Sequence, residues 1–391
     1  MLAVKDPAIV PAPVRTDGIA EPCSIGPTDG FAVAVKDCLD IEGFRTRAGS
    51  RALNPAPATA HATAVERLLD GGATIVGRAA MHELAYGMTG LNAAFGTPVN
   101  PRYPALIPGG SSSGSAVAVA NGLCRAALGT DTGGSVRVPA AACGLYGLKP
   151  TFGRVDRTGA TPATSSLDCI GVLADCAEDL AHTASLLMPD LEPRPDTAPT
   201  IGWVATEADP AIAAAARKTA AELGKPQTVS LPGLAAAHDA GLAVMAHEMS
   251  AEFGHLVEDA RLGEDIRLRL LGAAEVTDAQ LRKAREVGET FRAEVDRALE
   301  DVDLLALPTL PIRVPALNEL DRTDTRRLME LTRPFNLSGH PALALPAGEL
   351  GGRPVSLQLV ARHGREADLL AAARIHSASE HSSLGKGDSH V

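Results

Sequence analysis

Apolar positions along this chain fall into short runs broken by glycine and proline. Residues 31–39 (FAVAVKDCL) form one such run ending in charge, the pattern of a buried strand with Lys36 near its end. Residues 61–70 place Ala64, Val65, Leu68 and Leu69 at helical spacing and are stopped by Gly71 and Gly72, after which 73–76 reads as a strand. Such αβ units recur, which predicts an α/β protein. Between 98 and 159 small residues dominate. Gly109 to Ser115 (GGSSSGS) leads into a small-residue helix, 124–128 reads as a strand, and 129–135 (GTDTGGS) is a second glycine-rich turn. Further on, strands are expected at 199–204, 303–308, 342–345 and 355–360, with helices at 210–223, 234–250 and 277–300 and a closing helix at 367–376. Residues 1–25, rich in proline, are expected to be extended. The helices within about 190–300 are expected to cover the rest, and 381–391 to form a polar, disordered tail.

Composition narrows the function. The 391 residues carry a net charge of −11 with 3% aromatics, which leaves neither the basic surface nor the stacking platforms that nucleic-acid binding uses. No apolar run approaches a membrane span and no secretory pattern opens the chain, so a cytoplasmic protein that binds no membrane is expected. The six cysteines include no CxxC pair and are expected to be reduced. The eleven histidines lack metal-ligand spacing, and GTDTGGS lacks the lysine of a phosphate-binding loop, so neither a metal nor a cofactor is expected.

Two readings of the serine-rich loop compete. Gly110-Ser111-Ser112-Ser113-Gly114 matches the GxSxG nucleophile elbow, with Ser112 at its centre and His340 or His363 as the base, but no HGGG-type oxyanion segment precedes it. The alternative uses both glycine-rich turns. Ser111 and Ser135 lie 24 residues apart at the two ends of one helix–strand unit, which can bring them side by side. The backbone amides of Thr132, Gly133 and Gly134 precede Ser135, and two of these residues have no side chain to block a ligand, so the turn suits an oxyanion. A serine nucleophile needs a base. Lys36 qualifies if burial lowers its pKa. By itself it equally suits a strand-end ion pair with Asp37, and serines in such loops are commonly turn formers.

The run GGSSSGSAVAVANG followed by GTDTGGSVRVPAAACGLYGLKPTFGRV resembles the amidase signature family, serine hydrolases that cleave amides with a Ser–Ser–Lys triad. VAVKDCLDIEGFRTRAGS is similar to that family's lysine segment, and FNLSGHPALALPAG and PVSLQLVARHGREADLL to its C-terminal elements. The resemblance spans roughly 25–380 and implies one domain over 26–380 with a single large mixed β-sheet flanked by helices on both faces. It implies Ser135 as the acylated nucleophile, Ser111 as the bridging serine following a cis peptide bond, and Lys36 as the general base. Thr132, Gly133, Gly134 and Ser135 would supply the oxyanion amides, and Asp131 and Arg137 would brace the loop. Ala85, Tyr86 and Met88 fall in the segment that lines the acyl pocket of relatives, and their apolar character favours a neutral acyl group. The implied reaction converts a carboxamide to a carboxylate and ammonia through an acyl-enzyme. The alternatives are a ureido or carbamoyl hydrolase and an amidotransferase-type component of a larger complex. The lysine segment starts close to the beginning of the chain, so the helical arm of many members is expected to be missing. This short form is similar to small bacterial amidases and plant indole-3-acetamide amidases. A small-molecule amide is the expected partner, with a homodimer the family's usual assembly.

Overall fold

The computed structural model describes residues 14–384, with side chains over 16–379. Its strands in chain order are β1 (Val14–Arg15), β2 (Ile19–Ile25), β3 (Phe31–Lys36), β4 (Ala73–Ala79), β5 (Thr97–Pro98), β6 (Ala126–Asp131), β7 (Tyr146–Lys149), β8 (Cys169–Ala174), β9 (Ile201–Val204), β10 (Pro226–Val229), β11 (Leu304–Pro308), β12 (Ala342–Glu349) and β13 (Pro354–Val360). Eleven of them form one sheet in the order β10-β9-β11-β13-β12-β7-β8-β6-β3-β4-β2, and β1 pairs with β5 apart from it. The sheet is mixed: β3 is parallel to β4 and β6, whereas β6, β8, β7, β12, β13 and β11 alternate in direction.

Its helices are α1 (Thr63–Asp70), α2 (Ser113–Ala120), α3 (Arg137–Cys143), α4 (Ala177–Leu187), α5 (Pro210–Leu223), α6 (Leu234–Phe253), α7 (Glu264–Ala273), α8 (Asp278–Ala298), α9 (Arg333–Leu337) and α10 (Glu366–Leu384). They cover both faces, as the period-two alternation of strand residues shows. Val33 and Val35 of β3, Leu128 of β6 and Val172 of β8 belong to the core shared with α1, α4, α5 and α10. Ala34, Ala127 and Leu173, one position out of phase, belong to the core shared with α2 and α3. Small residues let α2 lie very close to the sheet. A Cβ on Gly114 would stand 2.3 Å from the Gly18 carbonyl oxygen and 2.4 Å from that of Ala80.

Several boundaries differ from the sequence expectation. Residues 19–25 of the extended N-terminal segment are β2, an edge strand paired with β4, while 1–13 lie outside the described residues. The strand expected at 124–128 runs instead over Ala126–Asp131, because the chain is still turning out of α2 at Leu123, an exposed residue. The segment at about 190–300 is not helical throughout: β9 and β10 extend the sheet within it. Helix α10 reaches Leu384, entering the stretch expected to be a disordered tail, and 385–391 lie outside the described residues. Among the described residues no helix is long and apolar enough to cross a membrane.

Candidate active site

Lys36 ends β3, and parallel pairing with β6 sets it beside Thr130. Its side chain is fully buried. Nζ lies 2.8 Å from Thr130 Oγ1, 3.5 Å from the Thr130 carbonyl oxygen and 2.8 Å from Ser111 Oγ. Burial pushes the lysine pKa down from its ordinary value, against the opposing pull of Cys38, Asp168 and Asp131. A neutral amine has two N–H bonds and one lone pair. If Thr130 accepts both N–H bonds, the lone pair faces Ser111. The ion pair with Asp37 does not form, because that carboxylate is taken by Arg78 and by the Gly49 amide.

Ser111 precedes α2 and follows a cis peptide bond from Gly110. Its carbonyl oxygen accepts from the His82 amide (3.0 Å), and the next amide, of Ser112, donates to the Ser135 carbonyl oxygen at 3.3 Å. That bond brings the two glycine-rich turns together. Ser135 is 3% exposed, with Oγ 3.5 Å from Met88 Sδ.

The turn carrying Ser135 is held from inside. Asp131, at the end of β6, accepts from the amides of Gly134 (2.8 Å) and Val136 (3.2 Å) and takes a two-pronged contact from Arg137, Nε to Oδ2 at 2.9 Å and Nη2 to Oδ1 at 2.8 Å. Burial opposes the charge, yet the Arg137 guanidinium and its hydrogen bonds hold the Asp131 carboxyl well below the usual carboxylate range. Arg137 also donates to the Thr332 carbonyl oxygen, to Gln358 Oε1 and to Asn336 Oδ1, while Asn336 Nδ2 donates to the Asp131 backbone oxygen at 2.6 Å. Thr132 Oγ1 donates to Asp168 Oδ1, and Thr332 Oγ1 to the Gly133 carbonyl oxygen (2.7 Å). Because the Gly134 amide is given to Asp131, it acts as a brace of the turn. The amides of Thr132, Gly133 and Ser135 are the ones left to meet a ligand.

Met88 is brought against Ser135. Tyr86 is buried, and burial pushes its phenol up to about 12 against the nearby charges of Arg269 and Arg333. Ala85 is half-buried on a turn with φ of +55°, following Leu84 at +52°. The nucleophile-elbow alternative finds no base. Ser112 Oγ donates to the Thr130 carbonyl oxygen (3.3 Å), whereas His340 and His363 stack on one another and hydrogen-bond to Ser338. With Asp296 these two histidines form a group of potential metal donors lying within 4.8 Å of one another. The rings are only 3.9 Å apart, and both nitrogens of His340 are engaged, by Ser338 Oγ and Asp296 Oδ1. The group ties α8 to the loop that carries α9.

Sequence reasoning missed Thr130, Thr332, Asn336 and Gln358. Asn336 lies in the quoted FNLSG stretch, but its partner Asp131 is 205 residues away and no local spacing signals that contact.

With this fold and this arrangement of side chains, comparison with known proteins gives the family. The profile of the amidase family matches residues 16–224 and 203–370, and the chain belongs to that family, the amidase signature enzymes. It is 36% identical to a glutamyl-tRNA(Gln) amidotransferase subunit of Natronomonas pharaonis over 91% of this chain and 97% of that one. A crystal structure of an amidase superposes with a TM-score of 0.83 at 32% identity, covering 89% of this chain and 84% of that chain. The corresponding glutamyl-tRNA(Gln) amidotransferase subunit of Thermotoga maritima superposes with a TM-score of 0.78 at 28% identity, covering 92% and 87%. The protein is an enzyme acting on C–N amide bonds.

Proposed function

We propose that the protein hydrolyses a small carboxamide to a carboxylate and ammonia through an acyl-enzyme on Ser135. Neutral Lys36 accepts the Ser111 hydroxyl proton while Ser111 accepts that of Ser135, and Ser135 Oγ adds to the amide carbon. The amides of Thr132, Gly133 and Ser135 hold the oxyanion. Collapse breaks the C–N bond, and the relay returns its proton to the departing nitrogen. Water then follows the same path, giving its proton to the relay and its oxygen to the acyl carbon. The observation that carries this reading is the wholly buried Lys36 with Nζ at 2.8 Å from Ser111 Oγ.

A second reading is favoured by the curated relatives, which are named as components of an amidotransferase. In that case the same chemistry releases ammonia inside a complex with a partner protein. Ureido or carbamoyl substrates are a third variant of the same chemistry. Ammonia release by the isolated chain across aryl, alkyl, dicarboxylic and ureido amides, with Ser135→Ala alongside, separates these readings. Release that disappears in the variant is the expected result. No release from any amide up to about pH 9.5, still below the ordinary lysine pKa, would favour the amidotransferase reading.

A further inference from the structure

Two fully buried arginines flank the Gly133–Gly134 turn, and they differ in one respect. Arg137 has its side-on fork, Nε with Nη2, filled by the two oxygens of Asp131. Arg333, the first residue of α9, has the same fork without a carboxylate. Its Nε has no hydrogen-bond partner, and its Nη2 meets only the thioether of Met329, Sδ at 2.8 Å, a weak acceptor. Its Nη1 lies 3.2 Å from His238 Nε2. Burial and the neighbouring Arg333 charge push the His238 imidazole down to about 4, so it is neutral; with Nδ1 donating to the Met329 carbonyl oxygen at 3.2 Å, the Nε2 lone pair faces the guanidinium. Among the described residues no carboxylate oxygen lies within ion-pairing distance of Arg333. The charges that act on it from further off are Asp239 and the like-charged Arg269.

The surroundings are shaped around this side chain. A Cβ on Gly241 of α6 would stand 2.9 Å from Arg333 Cγ and 3.0 Å from Cδ, so a bare stretch of helix carries the stem. A Cβ on Gly133 would stand 3.4 Å from both the orphan Nε and Met329 Sδ. The fork, closed by nothing more than the Met329 thioether, therefore borders the turn whose amides are assigned to the oxyanion. A buried cation without a counter-charge is unfavourable, and such positions persist where a ligand supplies the missing partner.

We propose that Arg333 binds a carboxylate on the acyl half of the substrate, so that the amide cleaved is a monoamide of a dicarboxylic acid or of similar carboxylate-bearing acyl chemistry. This rests on the amidohydrolase reading above. The acyl oxygen sits at Gly133 and the leaving nitrogen must face Ser111, which assigns a charge beyond Gly133 to the acyl side. The substrate carboxylate displaces the flexible Met329 thioether and meets Nε and Nη2 together, as Asp131 meets Arg137. Tyr86 and Met88 alone suggest a neutral acyl group, and Arg333 adds the cation that their segment lacks.

The test compares succinamate with butyramide, which differ by the terminal carboxylate, in wild type, Arg333→Met and Arg333→Lys. The expected kcat/KM ratio favours succinamate by about 100-fold or more in wild type, because a polar site left unpaired rejects the analogue. The ratio approaches one in Arg333→Met and partly recovers in Arg333→Lys. Titration with succinate, which needs no turnover, is expected to show binding weakened at least about tenfold in Arg333→Met. Wild type that prefers butyramide, a ratio unchanged in both variants, or equal succinate binding would overturn the proposal. If Arg333→Met fails to fold, the wild-type preference and Arg333→Lys decide. If wild type cleaves neither amide, the broader amide panel above decides the amidohydrolase reading, and the succinate titration still decides the role of Arg333.

Discussion

Lys36 is fully buried. Its methylene stem is sealed in the sheet and its nitrogen meets only Thr130 and Ser111. Burial lowers its pKa, so the neutral base becomes available as pH rises through that lowered value. The pH profile of kcat/KM is expected to carry a rising limb that Lys36→Met removes, with kcat falling by about 10³-fold, within the range for loss of a general base. Stopped-time ammonia assays from pH 6 to 10 check both, and a profile falling with pH would argue against a lysine base. Gly134 is constrained differently. Its φ is +129°, and a Cβ there would stand 2.2 Å from Thr332 Oγ1. Gly134→Ala is expected to displace the turn and to lower kcat by about 100-fold or more, as loss of oxyanion geometry does. Circular dichroism alongside the assay separates this from global unfolding. These residue identities were legible in the sequence because glycine density and the family motif mark them. Arg333 was not, because its meaning lies in which partners it lacks, and only packing reveals that.

At the scale of elements, the strap between β4 and the site is pinned by Glu83. Its Oε1 accepts from Ser50 Oγ (2.5 Å) and its Oε2 from the Gly263 amide (3.1 Å), ahead of α7. Burial pushes this carboxyl up to about 7 despite both hydrogen bonds. A raised carboxyl pKa means that the folded state holds its proton more tightly than the unfolded chain. The associated stability is complete below the ordinary value near 4.5 and is lost as pH climbs through about 7. Glu83→Gln is expected to flatten the decline of Tm over that window, and an unchanged slope would rule out Glu83 as its source. Helices α4 and α7 and strands β7, β8 and β10 are among the elements that escaped the sequence reading. Residues 264–273 show only a weak apolar stripe, and Pro226–Val229 is a polar edge strand whose side chains do not alternate in burial. Strands β3, β4, β9, β11, β12 and β13 and helix α5 were readable, because short apolar runs and Pro at the first helical turn mark them directly.

At the scale of the molecule, the C-terminal third holds the turn carrying Ser135 in place. Thr332, Asn336 and Gln358 reach Asp131, Gly133 and Arg137 from α9 and its approach and from β13. Removing one such link strands buried polar atoms. Asn336→Ala leaves Asp131 and an Arg137 donor short of partners and is expected to cost about 2–3 kcal/mol, measured by urea denaturation, with activity falling in parallel. The α/β class and the helix-covered mixed sheet were expected before the structure, whereas the order of the strands was not. Pairings such as β7 with β12 join residues far apart in sequence and leave no local trace.

The central claim is that Ser135, activated through Ser111 by Lys36, is the residue that becomes acylated. Labelling with a serine-directed fluorophosphonate followed by peptide mapping tests it directly. The expected adduct is on Ser135, formed at least about 100-fold more slowly in Lys36→Met, since an unactivated serine is a weak nucleophile. An adduct on Ser112, or a rate on Ser135 indifferent to Lys36, would contradict the account.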